Sequence, residues 1–182
     1  WRSIQVVDTA GIRKQSSVKE VVESQSVFRA LRSITNCEIV VHLVDVTKGI
    51  GHQDRRLIDI ALEKGKSVIV VLNKIDQLSD ELKKDQKLRK EWLLDLRAKI
   101  PWLNYCDVIL ISAKYKKHIK KLKESIKKTI LVRNRPVSTA ELNRVVEELI
   151  ARNPLLMSKK TGTKFRVKYA SMVKTSPPTF IL

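Results

Sequence analysis

The sequence is poor in the residues that build small stapled or fibrous proteins. Of its 182 residues, 2 are cysteines, Cys37 and Cys106, far apart and without metal-ligand spacing. That excludes a disulfide framework or a zinc site and fits small buried residues in a reducing compartment, the cytoplasm. Glycine and proline number 5 each, which excludes a collagen-like or low-complexity chain. Aromatic residues are 5%, so no base-stacking platform is evident. No apolar run approaches the ~20 residues needed to cross a bilayer. No charged-then-apolar leader opens the chain, so secretion is not expected. Acidic residues are scarce too, 19 against 37 Lys and Arg, for a formal charge of +18.

What is present is enough apolar material, 43%, to build a core in one ordinary domain or two small ones. The chain opens at Trp1 and stops at Phe180-Ile181-Leu182, both inside strand-like runs, and is expected to be a piece of a longer protein. The charge is uneven: residues 114–135 hold 10 basic and 1 acidic residue, half of the whole excess. Such a block attracts polyanions, nucleic acid above all, unless it is simply a solvated helix face.

Ser3–Val7 reads as a strand ending at Asp8, and Val22–Ile34 as a helix. The β-branched runs Ile39–Val44, Ser67–Leu72 and Val108–Ile111 read as strands buried on both faces. Between them lie a helix from Asp54 to Lys64, stopped by Gly65, and one long helix from Ser79 or Asp80 to Ile100, stopped by Pro101. The second carries Leu88, Trp92, Leu96 and Ile100 at four-residue spacing. A basic helix follows, with Ile119, Leu122, Ile126 and Ile130 on one face. Alternating strands and helices argue for a mostly parallel sheet with helices on both faces. After the linker Arg133–Val137 the pattern changes. A helix at Thr139–Ala151 turns Leu142, Val145, Val146 and Leu149 inward, and strands follow at Lys164–Ala170 and Thr179–Leu182. This predicts a small α+β unit. The expected domains are 1–135 and 136–182. His42 reads as core, His52 and His118 as surface, with no carboxylate or cysteine beside them to make an acid–base group.

Three motifs follow strands, where α/β sheets bind ligands. Asp8-Thr9-Ala10-Gly11 offers an Asp that can hold Mg²⁺ through water and a Gly that lets an amide approach a terminal phosphate. Asn73-Lys74-Ile75-Asp76 offers a carboxylate for the two N–H groups of a guanine edge. Adenine lacks that edge and would leave Asp76 desolvated and unpaired. Ser112-Ala113-Lys114 offers a backbone N–H for the guanine carbonyl. Each alone is ordinary loop chemistry; it is their order and placement that point to guanine nucleotide.

Together they resemble the third to fifth motifs of a GTP-binding G domain. Asp8 to Arg13, Ser26 to Arg32, Gly49-Ile50 with Gln53-Asp54, and Leu93 to Ile111 with Pro101 to Tyr105 resemble the second G domain of the Der (EngA) family. That family comprises bacterial tandem GTPases of large-subunit ribosome assembly. The tail, Ser138 to Asn143, Lys168-Tyr169-Ala170 and Pro177 to Phe180, is similar to the KH-like domain of that family. The resemblance implies GTP or GDP at Asp8, Thr9, Ala10, Gly11, Ile12, Asn73, Lys74, Asp76, Ser112, Ala113 and Lys114, with Mg²⁺ on Asp8 through water. It implies an incomplete P-loop-type fold, GTPase activity, a first G domain earlier in the chain, and the large ribosomal subunit and ribosomal RNA as partners.

The departures are specific. No Gly-x-x-x-x-Gly-Lys-Ser/Thr loop is present; Gly65-Lys66-Ser67 has Ile60 where the first Gly belongs and follows a helix instead of a strand. The loop, the first switch and two strands are expected upstream of Trp1. Ile12 stands where many GTPases carry the glutamine that orients water, so no catalytic residue is assigned. The resemblance allows K⁺ to supply the missing positive charge. Lys114-Tyr115-Lys116-Lys117-His118 lacks the Gly that Der proteins generally carry at this turn. The tail lacks Gly-x-x-Gly, so RNA contact is assigned to backbone-reading cations: Lys120, Lys121, Lys127 and Lys128 on the basic helix and Lys159, Lys160, Lys164, Arg166, Lys168 and Lys174 in the tail. The rival readings are a basic RNA-binding module on a non-switching G fold and another translation-linked GTPase, against which the tail argues.

The base-reading half is present here and the phosphate-cradling half is not. Residues 1–182 by themselves are therefore expected to bind GTP poorly, since phosphate contacts carry much of a nucleotide's affinity. Calorimetry checks this: a dissociation constant on the order of micromolar would contradict the reading of the missing loop.

Overall fold

A computed structural model describes residues 3–8, 32–152 and 167–182. The chain divides into two units, Trp1–Lys127 and Lys128–Leu182.

The first unit is built on a parallel sheet in the order β1-β2-β3, with β1 Ile39–Asp45, β2 Ser67–Asn73 and β3 Asp107–Leu110. Val68, Val70 and Leu72 of β2 pack on one side with Leu57, Ile58 and Ala61 of helix α1 (His52–Glu63) and with Ile100, Leu103 and Cys106. Ile69 and Val71 face the other side, against Ile111 and against Ile119, Leu122 and Ile126 of helix α4 (Ile119–Arg133). The expected double-sided burial of the β-branched runs holds for β2, where Ile69, Val70 and Val71 are each 0% exposed, but not for its neighbours. Residues 39–42 of β1 and all of β3 are half-buried and Leu43 is 52% exposed, because among the described residues only the middle strand is flanked on both edges. Registers are Asp45 opposite Asn73 and Leu72 opposite Leu110, so the C-terminal ends of the strands line up.

Helix α1 ends as expected at Gly65. Its φ of 65° suits glycine alone among residues without strain, and the Gly65 and Lys66 amides return to the Leu62 and Ala61 carbonyls. The expected single helix to Ile100 is instead α2 (Asp80–Lys84) and α3 (Gln86–Lys99). Asp85 sits between them in extended geometry, and its carboxylate accepts the Lys87 and Leu88 amides. An Asp that can cap a new helix competes with continuing the old one. The break puts Leu88 in the first turn of α3, where it is 39% exposed; Trp92, Leu96 and Ile100 reach the core. Pro101 then opens the short 3₁₀ turn Pro101–Tyr105.

Ser3–Val7, expected as a strand, is exposed and in no strand among the described residues. An extended segment becomes a strand only by pairing its backbone, and no described strand pairs with it. Residues 32–36 are helical, and the rest of the expected Val22–Ile34 helix lies outside the described residues. Neither cysteine is in a disulfide; Cys106 is buried and Cys37 half-buried. Burial pushes the Cys106 thiol above its usual range.

The second unit contains helix α5 (Thr139–Arg152) and an antiparallel pair, β4 (Ser171–Thr175) and β5 (Pro178–Ile181). Ser138 caps α5 through a 3.2 Å bond from the Glu141 amide. The Asn143 side chain clamps the Ala170 backbone from both sides, accepting its N–H at 2.8 Å and donating to its carbonyl at 2.9 Å. That clamp replaces the pairing expected for a strand through Lys164–Ala170: residues 167–170 are not in a strand, and 164–166 are outside the described residues. Of the four positions expected to face inward on α5, Leu142 and Val146 are half-buried, but Val145 and Leu149 are 42% and 55% exposed.

Candidate functional site

Two of the three motifs meet at the C-terminal ends of β2 and β3. Leaving β2, Asn73 turns its side chain back so that Oδ1 accepts the Lys74 amide at 2.8 Å. The same oxygen accepts the Ala113 amide at 3.0 Å, tying together loops 40 residues apart. Lys74 adopts the left-handed conformation, φ 68°, and a single 3₁₀ turn, Ile75–Gln77, follows. Ile75 is buried and its amide bonds to the Ile111 carbonyl at 3.2 Å, a second tie between the same loops.

Asp76 is half-buried, and its Oδ1 accepts the Ser112 hydroxyl at 2.5 Å. Ser112 itself is fully buried. That bond, ahead of the nearby Lys114 and Lys83 charges, holds the Asp76 carboxyl below the usual carboxylate range. At neutral pH Asp76 is thus an acceptor-only carboxylate edge, held in place by the Ser112 hydroxyl on Oδ1 and by a bond from its own backbone amide. A planar partner with two adjacent N–H donors suits that edge.

The glycine-free loop closes all the same. Ser112 and Lys117 exchange backbone bonds of 3.2 and 2.9 Å, and the Lys116 amide returns to the Ala113 carbonyl. Lys116 and His118 supply the left-handed turns expected of glycine, with φ 53° and 63°. Such residues cost roughly 1–2 kcal/mol each in that region, which the loop's hydrogen bonds must offset. Within Ser112–Lys114 the Ser112 amide is engaged by the Lys117 carbonyl and the Ala113 amide by Asn73, so the Lys114 amide is the one left for a carbonyl acceptor.

Sequence reading passed over Asp45, the last residue of β1. It is 4% exposed; Oδ2 accepts Lys74 Nζ at 2.7 Å, and Oδ1 accepts the Thr47 amide at 3.1 Å and hydroxyl at 2.7 Å. The Lys74 bond first, then the Thr47 hydroxyl, holds this carboxyl far below its ordinary value. The ion pair is therefore intact at neutral pH and weakens only in strong acid, as pH falls toward that depressed value. Its signal was faint: one carboxylate closing an apolar strand. His42 also departs from the core reading. Its Nε2 lies 2.9 Å from Asp54 Oδ1, while Asp54 Oδ2 accepts the Gly51 amide at the start of α1. His118 is half-buried, its Nδ1 3.0 Å from the Leu110 carbonyl oxygen. His52 is exposed, as expected.

Asp8 is exposed. Thr9, Ala10, Gly11 and Ile12 lie outside the described residues, as do Lys159, Lys160, Lys164 and Arg166. Lys120, Lys121, Lys127, Lys128, Lys168 and Lys174 are exposed. Among the described residues no cluster of three His, Cys, Asp or Glu could hold a metal ion. Asp8 by itself fits a water-mediated contact to a cation held mainly by a nucleotide, not a protein cage.

The sequence pattern described as "Elongation factor Tu GTP binding domain" matches residues 2–132, and that described as "KH-domain-like of EngA bacterial GTPase enzymes, C-terminal" matches residues 136–182. GTPase Der of Natranaerobius thermophilus is 36% identical over 176 residues, 97% of this chain and 39% of that protein. The chain belongs to the Der (EngA) GTPase family. GTPase Der of Streptococcus pneumoniae is 37% identical over 177 residues, with the same coverage. The chain thus spans 39% of the length of these curated Der relatives. Among solved structures, an Era variant of Aquifex aeolicus bound to GDP.AlF4- is 24% identical with a TM-score of 0.49, covering 64% of this chain and 36% of that one. The selenocysteine-specific elongation factor EF-Sec gives 26% and 0.46, covering 60% and 19%. Among the described residues of this Der-family chain no helix is long and apolar enough to cross a membrane.

The Ser112–Asp76 bond is directly measurable. Ser112→Ala removes the donor that favours ionised Asp76, so the Asp76 titration followed by carboxyl-carbon NMR is expected to move upward, toward the ordinary 3.8. An unmoved titration would mean that the hydroxyl does not hold the carboxylate.

Proposed function

We propose that this chain carries the guanine-reading part of a GTP-binding, GTP-hydrolysing factor that acts in assembly of the large (50S) ribosomal subunit in the cytoplasm. Residues 1–135 are proposed to form most of its second G domain and 136–182 part of its KH-like domain. The observation that carries the reading is the joined pair of loops in which Asn73 Oδ1 binds the Lys74 and Ala113 amides while Ser112 pins Asp76. Asp76 offers its carboxylate to the guanine N1–H and 2-amino groups, and a loop amide at Lys114 meets the 6-oxo group. Adenine presents the opposite donor pattern and leaves Asp76 unsatisfied, a loss of several kcal/mol when that group is desolvated. Mg²⁺ would neutralise phosphate charge when the nucleotide is bound, with Asp8 reaching it through water, and K⁺ is proposed as a further cation. Thr9, Ala10, Gly11 and Ile12 are proposed to face the phosphates.

Helix α4 supports an RNA contact. Ile119, Leu122 and Ile126 face the sheet, which leaves Lys120, Lys121, Lys123, Lys127 and Lys128 exposed. Crowded like charges on one helix repel one another, and a polyanion relieves that repulsion while releasing its counterions. Lys159, Lys160, Lys164, Arg166, Lys168 and Lys174 are proposed to add to this binding from the KH-like tail, reading backbone rather than bases. A solvated lysine face without a partner is the rival.

In the full-length protein, Asp76→Asn is expected to shift preference from GTP to XTP, because the amide places a donor opposite the xanthine 2-oxo group. Unchanged selectivity would favour the rival in which the G fold is a scaffold only. A variant carrying Lys120→Gln, Lys121→Gln, Lys127→Gln and Lys128→Gln is expected to bind ribosomal RNA with a shallower salt dependence from roughly 50 to 300 mM, the parent slope being on the order of −4 for about 5 phosphate contacts. An unaltered slope would remove α4 from the interface.

A further inference from the structure

We propose that Asp45 is a positioning residue of the base site: by anchoring Lys74 across the strand ends it sets the loop conformation from which Asn73 and Asp76 meet guanine. The proposal rests on the guanine reading above and adds a residue that neither motif contains.

Asp45 is buried, and both of its oxygens are already committed within the protein, one to Lys74 Nζ and the other to Thr47. It therefore acts through its partners and not on a ligand. The register places it beside Asn73, so a carboxylate ending β1 falls within reach of the residue that follows β2. Lys74 is held at two points: its amide by Asn73 Oδ1 at 2.8 Å and its ammonium by Asp45 Oδ2 at 2.7 Å. Between those points its backbone stands at φ 68°, a conformation an L-residue does not keep without restraint. Asn73 Oδ1 also holds the Ala113 amide at 3.0 Å, and Asp76 begins two residues beyond Lys74. Releasing the ammonium frees Lys74 to leave the left-handed region. That withdraws its amide from Asn73, loosens Asn73 from Ala113 and lets the Asp76–Ser112 edge drift. The ammonium is exposed, but the carboxylate that receives it is buried and fixed by Thr47, so the charge-assisted bond has a rigid anchor from which to hold such a chain of contacts.

The test uses full-length protein and compares GDP with IDP, which differs in lacking the 2-amino group that Asp76 would read. Asp45→Asn keeps an acceptor for Thr47 and removes the charge that holds Lys74. It is expected to weaken GDP binding about tenfold and to lower the GDP-over-IDP preference several-fold, the scale of one lost charge-assisted bond. A merely structural role would weaken GDP and IDP by the same factor, and an unchanged preference would overturn the proposal. Asp76→Ala is measured alongside. If it abolishes the preference and Asp45→Asn leaves the preference unchanged, the positioning role fails by itself; if Asp76→Ala leaves the preference intact, the base reading fails and the proposal with it. Should Asp45→Asn not fold, Thr47→Val at an exposed position loosens the same carboxylate and is expected to lower the preference about two- to threefold, with no change again overturning the proposal.

Discussion

β2 has no face that can be left to water. Val68 to Leu72 are all buried, so the strand is stable only with helices against both sides and strands along both edges. That requirement dictates the architecture of the first unit. It places α1 and the end of α3 on one side and α4 on the other, and it demands parallel neighbours whose crossovers supply those helices. Parallel pairing in this register then brings the C-terminal ends of three strands to one edge.

At that edge the regular backbone pairing stops, and side chains take over. Asn73 and Asp45 accept from backbone amides, a hydroxyl and one ammonium, and Ser112 donates its hydroxyl to Asp76. Each is half-buried or buried, so each would be costly without its partner. The network fixes two loops whose sequence is otherwise unsuited to tight turning, with lysines and a histidine in conformations glycine prefers. For the guanine reading proposed above such rigidity is a condition, because a carboxylate that can swivel can find water in place of its intended donors.

Helix α4 divides its labour by periodicity. Its isoleucine and leucine stripe completes the second face of the sheet, and the intervening positions are lysines. Ser125, buried on the same helix, donates to Asp107 at 2.7 Å and ties the helix to the start of β3. The basic surface is thereby mounted on an element that cannot rotate without unpacking the core.

Periodicity and strand-end motifs, both local properties, were legible in the residues themselves. The β-branched runs declared the three parallel strands, with full burial only in β2, Gly65 declared the end of α1, and Asn73, Asp76 and Ser112, expected from their strand-end positions to share a site, do come together. What remained hidden depended on contacts between distant residues or on competition between neighbours. Asp85 broke the expected long helix because a carboxylate able to cap two amides outbid one more turn. Ser3–Val7 has strand composition but, among the described residues, no backbone to pair with. His42 looked like core until the fold brought Asp54 to 2.9 Å. Asp45 had no motif at all; only the parallel register, which sets β1 beside β2 residue by residue, carried its carboxylate to Lys74. Composition and spacing decide which segments must be buried, whereas the partner of a buried charge is decided by which strands end side by side.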